Sequence, residues 1–162
     1  MITFSLPIMQ KRMANWCESL ISTVIGADVK IGNIYFNLLN RIVIDDITIN
    51  DNKGEIISNI SRLATTFELS SLYEGRLNIS SIQIFGIELN LYRHTLQSEL
   101  NCQFILDALK SNENEKTSAI DLRINSFILR NGKIKYDILS EELTKGVFNS
   151  SHIYLTDLNS TI

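Results

Sequence analysis

The stretch Ser61–Arg93, SRLATTFELSSLYEGRLNISSIQIFGIELNLYR, decides the fold. In its second half Ile82, Ile84, Ile87, Leu89 and Leu91 are apolar, with Gln83, Glu88 and Asn90 between them. Successive side chains of a strand point to opposite faces, so this alternation predicts a strand dry on one face and wet on the other. The apolar positions switch from even to odd at Phe85-Gly86. A glycine at such a switch predicts either a bulge that restores the register or a tight turn between two strands. The first half reads as another strand followed by a turn-like insert at Leu69–Gly75.

Toward the N-terminus, Arg41–Asn50 (RIVIDDITIN) places Ile42 and Ile44 on one face. Asp45-Asp46 inserts one residue, so Ile47 and Ile49 return to that face. Adjacent carboxylates raise a metal or acid–base reading. Neighbours in a strand point oppositely, however, and no third acid or histidine follows at ligand spacing, so a bulge is expected. Val29, Ile31 and, after a slip, Ile34 and Phe36 predict an earlier strand. Asp51-Asn52-Lys53-Gly54 predicts a turn of residues that tolerate positive φ, and it lacks the ligand spacing and final glutamate of a calcium loop. From about Leu6 to Ile25 the period is helical. Met9, Met13, Trp16, Leu20 and Val24 recur at threes and fours, and Cys17 and Ile21 widen the stripe. Ser5 suits the cap, Pro7 the first turn and Gly26 a left-handed close. This helix is expected to pack on the sheet or plug its end.

Toward the C-terminus, Asn101–Lys110 predicts a short helix capped by Asn101, with Phe104, Ile105, Ala108 and Leu109 inward. Ser111–Ser118 is polar and reads as a linker. Ile124–Ile138 alternates again around Asn131-Gly132, the strongest short-range hairpin signal, so a turn is expected there. Glu141–Ser151 is a polar connection, and His152–Asn159 begins one more strand.

The 162 residues suit one domain or a fragment of something larger. Charged residues make up 20% with a net charge of −3, which gives no electrostatic case for nucleic acid or an anionic membrane surface. His94 and His152 are the only histidines, and no serine or cysteine stands in a nucleophile setting. Tyr35, Tyr73, Tyr92, Tyr136 and Tyr154 do not interleave with a basic patch. No glycine-rich phosphate loop follows a strand. An enzyme is the poorest reading, and no metal or cofactor is expected. Cys17 and Cys102 match no metal or redox spacing and read as buried free thiols, a disulfide remaining open in an oxidising compartment. Met1–Met9 is too short to cross a bilayer and lacks the parts of a secretory signal. It is read as the tail of a longer spanning helix.

A pattern of Ile-x-(Asn or Ser)-apolar-x-apolar starts at Ile31, Ile79 and Ile124, spaced 48 (31 to 79) and 45 (79 to 124) residues apart. Such periods predict stacked units that cannot bury their apolar faces alone. Together they would form a long antiparallel sheet with one continuous apolar face, which must curl and be covered or carry something greasy.

The apolar helix of Ile8–Ile25 leads into Gly26-Ala-Asp-Val29-Lys-Ile31-Gly32, then Asn40-Arg41-Ile-Val-Ile-Asp45-Asp46-Ile47, Leu72-Tyr-Glu-Gly75-Arg-Leu77 and Ile79–Leu91. Asn101-Cys-Gln-Phe104-Ile fits the same succession. In this order of parts, from about Pro7 to Lys110, the chain resembles the N-terminal region of AsmA-like, TamB-type proteins, in the version found in Bacteroidetes-like bacteria. The resemblance implies an inner-membrane-anchored, largely periplasmic protein of phospholipid transport and outer-membrane biogenesis. Its partners would be lipid acyl chains, the membrane through a helix N-terminal to these residues, and an Omp85-type outer-membrane protein. The chain departs from that family in lacking a full membrane helix and the C-terminal domain that meets the Omp85-type barrel.

The fold expected is α+β, mostly antiparallel β. A curved, β-taco-like half-pipe would carry an N-terminal amphipathic helix at 1–26 and a groove unit at 27–110 with a short helix at 101–110. A linker at 111–120 and a β-hairpin repeat of the same groove at 121–162 would complete it. Ile42, Ile44, Ile82, Ile84, Ile87, Leu89, Leu91, Phe127, Leu129 and Ile134 are the expected lining, holding acyl chains at about 0.8 kcal/mol per buried methylene. On that reading a charge at Ile84 or Leu89 abolishes lipid uptake and leaves the fold. The alternative is an assembly module that docks another envelope protein through a sheet edge, its apolar face sealed by Met9–Val24. A glycan-binding β-sandwich is a third reading, which would cluster the aromatic residues in one concave site.

Overall fold

A computed structural model describes residues 14–15, 18–19, 21–23, 25–37, 40–51, 53–68, 77–113, 120–144 and 146–162. Six strands lie side by side in chain order: β1 (Asp28–Asn37), β2 (Arg41–Asn50), β3 (Ile56–Phe67), β4 (Leu77–Arg93), β5 (Ile120–Ile138) and β6 (His152–Thr161). The sheet is open, with β1 and β6 at its edges. A helical segment within residues 14–25 precedes β1, and the helix α1 (Gln103–Glu113) lies between β4 and β5 in the chain.

The strands at Val29–Phe36 and Arg41–Asn50 form where the period-two pattern places them. Asp51 builds the turn after β2, its Oδ1 accepting the N–H groups of Lys53 and Glu55 at 2.8 Å each. Gly26 closes the helical segment at φ 65°, donating its N–H to the Ser22 carbonyl at 2.9 Å. Of the helical stripe, Met9, Met13, Trp16, Cys17, Leu20 and Val24 lie outside the described residues, as do Ser5 and Pro7.

Three expectations are corrected. Asn131-Gly132 is not a hairpin: β5 runs unbroken through it as a 19-residue strand. A two-residue hairpin of that type needs positive φ at both residues, and only Asn131 has it, at 54°. Nor is the sheet wholly antiparallel, because β4 and β5 run parallel. A parallel pair needs a long crossover, and the chain from Arg93 to Ile120, which contains α1, supplies it. Asn101 does not spend its side chain on the helix. Its Oδ1 accepts the Tyr92 N–H at 3.1 Å and its Nδ2 donates to the Asn90 carbonyl at 2.9 Å, tying the start of the crossover to β4.

The parity switches seen in the sequence fall on one line across the sheet. The register sets Gly32, Asp46, Ser61 and Gly86 across from one another on β1 to β4, and the line continues to Asn131 on β5; the left-handed residue of β6, Asp157, lies further along, opposite Lys133, where the β5–β6 register shifts. Asp46, Gly86, Asn131 and Asp157 all take left-handed backbone, with φ of 60°, 64°, 54° and 56°. Along this transverse seam the backbones come close. A Cβ on Gly32 would meet the Asp46 Cβ at 2.9 Å, and one on Gly86 would meet the Ser61 Oγ at 2.6 Å. Gly86 is therefore neither a turn nor a bulge, and neither is Asp45-Asp46 a bulge: the pairing stays one-to-one past both, and the left-handed residues invert the parity of neighbouring strands together.

The 45-residue spacing between the second and third copies of the sequence repeat is also the register offset of β4 on β5. Ser81 pairs Ser126, Ile82 pairs Phe127 and Ile84 pairs Leu129. The first copy, around Ile31, straddles the seam and has no such counterpart.

Candidate functional site

Residues paired in register share a face of the sheet. On one side of the seam the register makes a row of Ile34, Ile44, Leu63, Ile84 and Leu129, with Ile42, Thr65, Ile82 and Phe127 beside it. On the other side run Ile31, Ile47, Ile60 and Ile87, then Val29, Ile49, Ser58, Leu89, Ile134 and Leu155. Leu91 pairs Tyr136 one step further. Val29, Ile31, Ile34, Ile44, Ile47 and Ile60 form one packed cluster with Ala14, so the seam keeps both halves on a single apolar face. All ten expected lining residues lie on it.

Cover is uneven. The helical segment packs over β1 to β3 through Ala14, with Ile21 and Ile25 against the cluster. Ser22 Oγ accepts the Val29 N–H at 3.2 Å and Glu18 Oε1 accepts the Ile31 N–H at 2.7 Å. Those bonds satisfy edge groups that β1 would otherwise leave open. Ile44, at 5% exposure, is the one expected lining residue fully buried; the other nine are half-buried. Ile84 and Ile87 touch the cluster, whereas Leu89, Leu91, Phe127, Leu129 and Ile134 do not belong to it.

The opposite face is polar and laced across the strands. Arg62 forks onto Asp45, with Nε to Oδ1 at 2.6 Å and Nη2 to Oδ2 at 2.8 Å. Lys133 Nζ meets Glu88 at 2.6 Å, and Arg41 Nη2 donates to Gln83 at 2.9 Å. The Arg62 fork holds the Asp45 carboxyl below its ordinary value. That contribution is present at neutral pH and is lost as pH falls through the lowered value. The Tyr92 hydroxyl donates to Glu55 at 2.8 Å, and this bond, helped by burial, pushes the phenol up to about 12.

His152 anchors the start of β6. Its Nδ1 lies 2.9 Å from Asp137 Oδ1 and its Nε2 lies 3.0 Å from the Glu141 carbonyl. Both partners accept, so the ring is best served as the doubly protonated cation. Asp137 first, and the Glu141 carbonyl second, raise it above its ordinary 6.5. Burial pushes the Asp137 carboxyl up, but the hydrogen bonds from Lys135 and His152 outweigh it and leave the group below its ordinary value. Stability from the raised histidine is complete below pH 6.5 and is lost as pH rises through the folded value. An NMR titration should place His152 above 6.5, and Asp137→Asn should bring it back down. A His152 titrating below that value would show that the pair does not form.

Two shallow hollows are lined mostly by polar residues, the second also by Leu91. One, of about 420 Å³, is lined by Asp45, Asp46, Ser61, Arg62 and Phe85 at the seam. A second, of about 370 Å³, gathers Lys53, Glu55, Tyr92, His94, Lys135 and Asp137 at the end of β3 to β5. Cys102 is a free thiol that burial pushes up, away from the reactive thiolate. Among the described residues no acids, histidines or cysteines gather as a metal site, and no helix is long and apolar enough to cross a membrane.

Compared with known proteins, the chain matches no family model and no curated protein.

The sequence did not reveal the edge cap of Glu18 and Ser22, because both fall on the polar side of the helical stripe and read as solvated. Nor did it reveal the His152–Asp137 pair, whose members are 15 residues apart on neighbouring strands.

Proposed function

We propose that this chain is a periplasmic β-groove segment of an AsmA/TamB-like envelope protein, and that its apolar face carries phospholipid acyl chains between membranes. The observation that supports the reading most is the alignment of Leu89, Leu91, Phe127, Leu129 and Ile134 on one face, half-exposed and outside the packed cluster. A soluble sheet normally covers such a face, and an acyl chain laid along it would do so. On this reading the sheet curves into a half-pipe, the N-terminal segment is an amphipathic helix sealing the β1 end, and head groups stay at the wet rim. A membrane helix upstream and an Omp85-type partner belong to the whole protein.

The test is uptake of a fluorescent fatty acid by delipidated protein, with mass spectrometry of lipid that co-purifies. Leu89→Arg is expected to cut uptake about tenfold or more while leaving the thermal midpoint within a few degrees, since it lies outside the core. Ile84 touches the core cluster, so Ile84→Asp reports on folding and not on uptake alone. No saturable uptake by the unaltered chain would end the proposal.

A further inference from the structure

We propose that the hollow at the end of β3 to β5 is an anion site, in which Lys53 and His94 meet a phosphate or carboxylate group. The anion it suits best is the head of an amphiphile whose chain lies on the apolar face, and that part of the inference rests on the acyl-chain reading.

The carboxylates of this hollow are engaged. Glu55 Oε2 accepts the Tyr92 hydroxyl at 2.8 Å, and Asp137 takes Lys135 Nζ on Oδ2 and His152 Nδ1 on Oδ1, both at 2.9 Å. A third hollow, of about 200 Å³, shares Lys53, Tyr92 and His94 with it. There Asp51 is engaged too, its Oδ1 accepting the N–H groups of Lys53 and Glu55. Two side chains differ. Among the described residues no hydrogen bond or ion pair forms on the Lys53 ammonium or the His94 imidazole, whose ring meets only Tyr92, edge to face at 5.7 Å between centroids. An ammonium has three N–H groups to donate, and an imidazole keeps at least one in either protonation state. Donors without acceptors, beside carboxylates that already have partners, call for a ligand that only accepts, and an anion makes the strongest such bonds. Both residues are exposed, so a ligand can reach them.

The other wall ties the anion to a chain. Ile56, 48% exposed, and Leu91 line the same hollow. Leu91 follows Leu89 on the apolar face, and Ile56 stands two residues before Ser58, the partner of Leu89. The hollow therefore joins the end of the apolar face to the two donors. An amphiphile can lay its chain along Leu89 and Leu91 and bring its head to Lys53 and His94, whereas a free phosphate would leave Ile56 and Leu91 wet. Glu99, exposed in the third hollow, repels an anion from that side, so the ligand is expected on the side of Leu91.

The test gives the intact, delipidated chain inorganic phosphate, a fluorescent fatty acid and the methyl ester of that acid. NMR titration reads the first, and fluorescence reads the other two. The acid is expected to bind about tenfold more tightly than the ester, because only the acid presents an anion. Lys53→Gln combined with His94→Gln should bring the acid down to the ester's affinity and keep the thermal midpoint within a few degrees, since both positions are exposed. Glu99→Gln, which deletes the opposing carboxylate, should tighten acid binding by a factor that shrinks as salt is added. Phosphate is expected to move the amide signals of residues 53 and 94, saturating at higher concentration than the acid. Equal binding of acid and ester, with no phosphate-induced shift at those residues, would overturn the anion site and leave the acyl-chain reading standing. Saturation by phosphate when neither chain probe binds would uphold the site for a free anion and end the acyl-chain reading. Phosphate binding as tightly as the acid would overturn the link between head and chain.

Discussion

Ile34→Asp is expected to leave the chain without a cooperative unfolding transition. Ile34 is 1% exposed and is the most deeply buried large side chain among the described residues. It pairs with Ile44 and belongs to the cluster that joins the helical segment to β1, β2 and β3. The substitution removes about 2 kcal/mol of apolar burial. It also forces a carboxyl into a buried apolar cluster, at a further cost of several kcal/mol even if the group neutralises itself. Domains of this size hold only about 5–15 kcal/mol in total. Ile34→Val, which deletes one methyl, should cost about 1 kcal/mol and keep a sharp transition. Circular dichroism melts of the two variants separate these outcomes. A melt of Ile34→Asp within about 1 kcal/mol of the parent would mean that the helical segment does not seal this site.

The second large effect is expected at the seam. Gly86→Val should destabilise by about 3 kcal/mol or more, from two separate causes. Left-handed backbone costs an L-residue about 1–2 kcal/mol, and a β-branched one more. The new Cβ would also stand 2.6 Å from the Ser61 Oγ and 3.1 Å from its Cβ, so the Ser61 hydroxyl must turn away and its Cβ give by a few tenths of an ångström. A double-mutant cycle can divide the two. Gly86→Val in a Ser61→Gly background relieves the contact and keeps the backbone cost, so it should recover part of the loss but not all of it. Full recovery would show that crowding alone excludes a side chain there. No recovery would show that the left-handed backbone alone does.

Much of the architecture was legible because the period-two signal is local. Val29 to Phe36 and Ile42 to Ile49 declare their strands, and the slips at Asp45-Asp46 and Phe85-Gly86 mark the left-handed residues Asp46 and Gly86, though not the bulges they suggest, because the pairing runs one-to-one past both. The same local signal misled at Asn131-Gly132. Residues that tolerate positive φ suit a hairpin and a seam crossing equally well, and only the neighbouring strand decides between them. The parallel junction was hidden for a related reason, since pairing across Arg93 to Ile120 leaves no trace in either strand alone. The lining residues were legible as one face because alternation fixes which way each points. Their unequal cover was not, because it depends on where the helical segment lies.

The lone parallel junction also sets an order of assembly. β1 to β4 form a meander whose partners are close in sequence, while β4 meets β5 at a separation of 45 residues over most of its length. Chain-closure entropy makes distant pairings slow, so the first four strands should be in place before β5 arrives, and β6 can only follow it. During synthesis the meander therefore waits with the β4 flank unpaired. In that interval the nascent chain is most open to misregistered association with its neighbours.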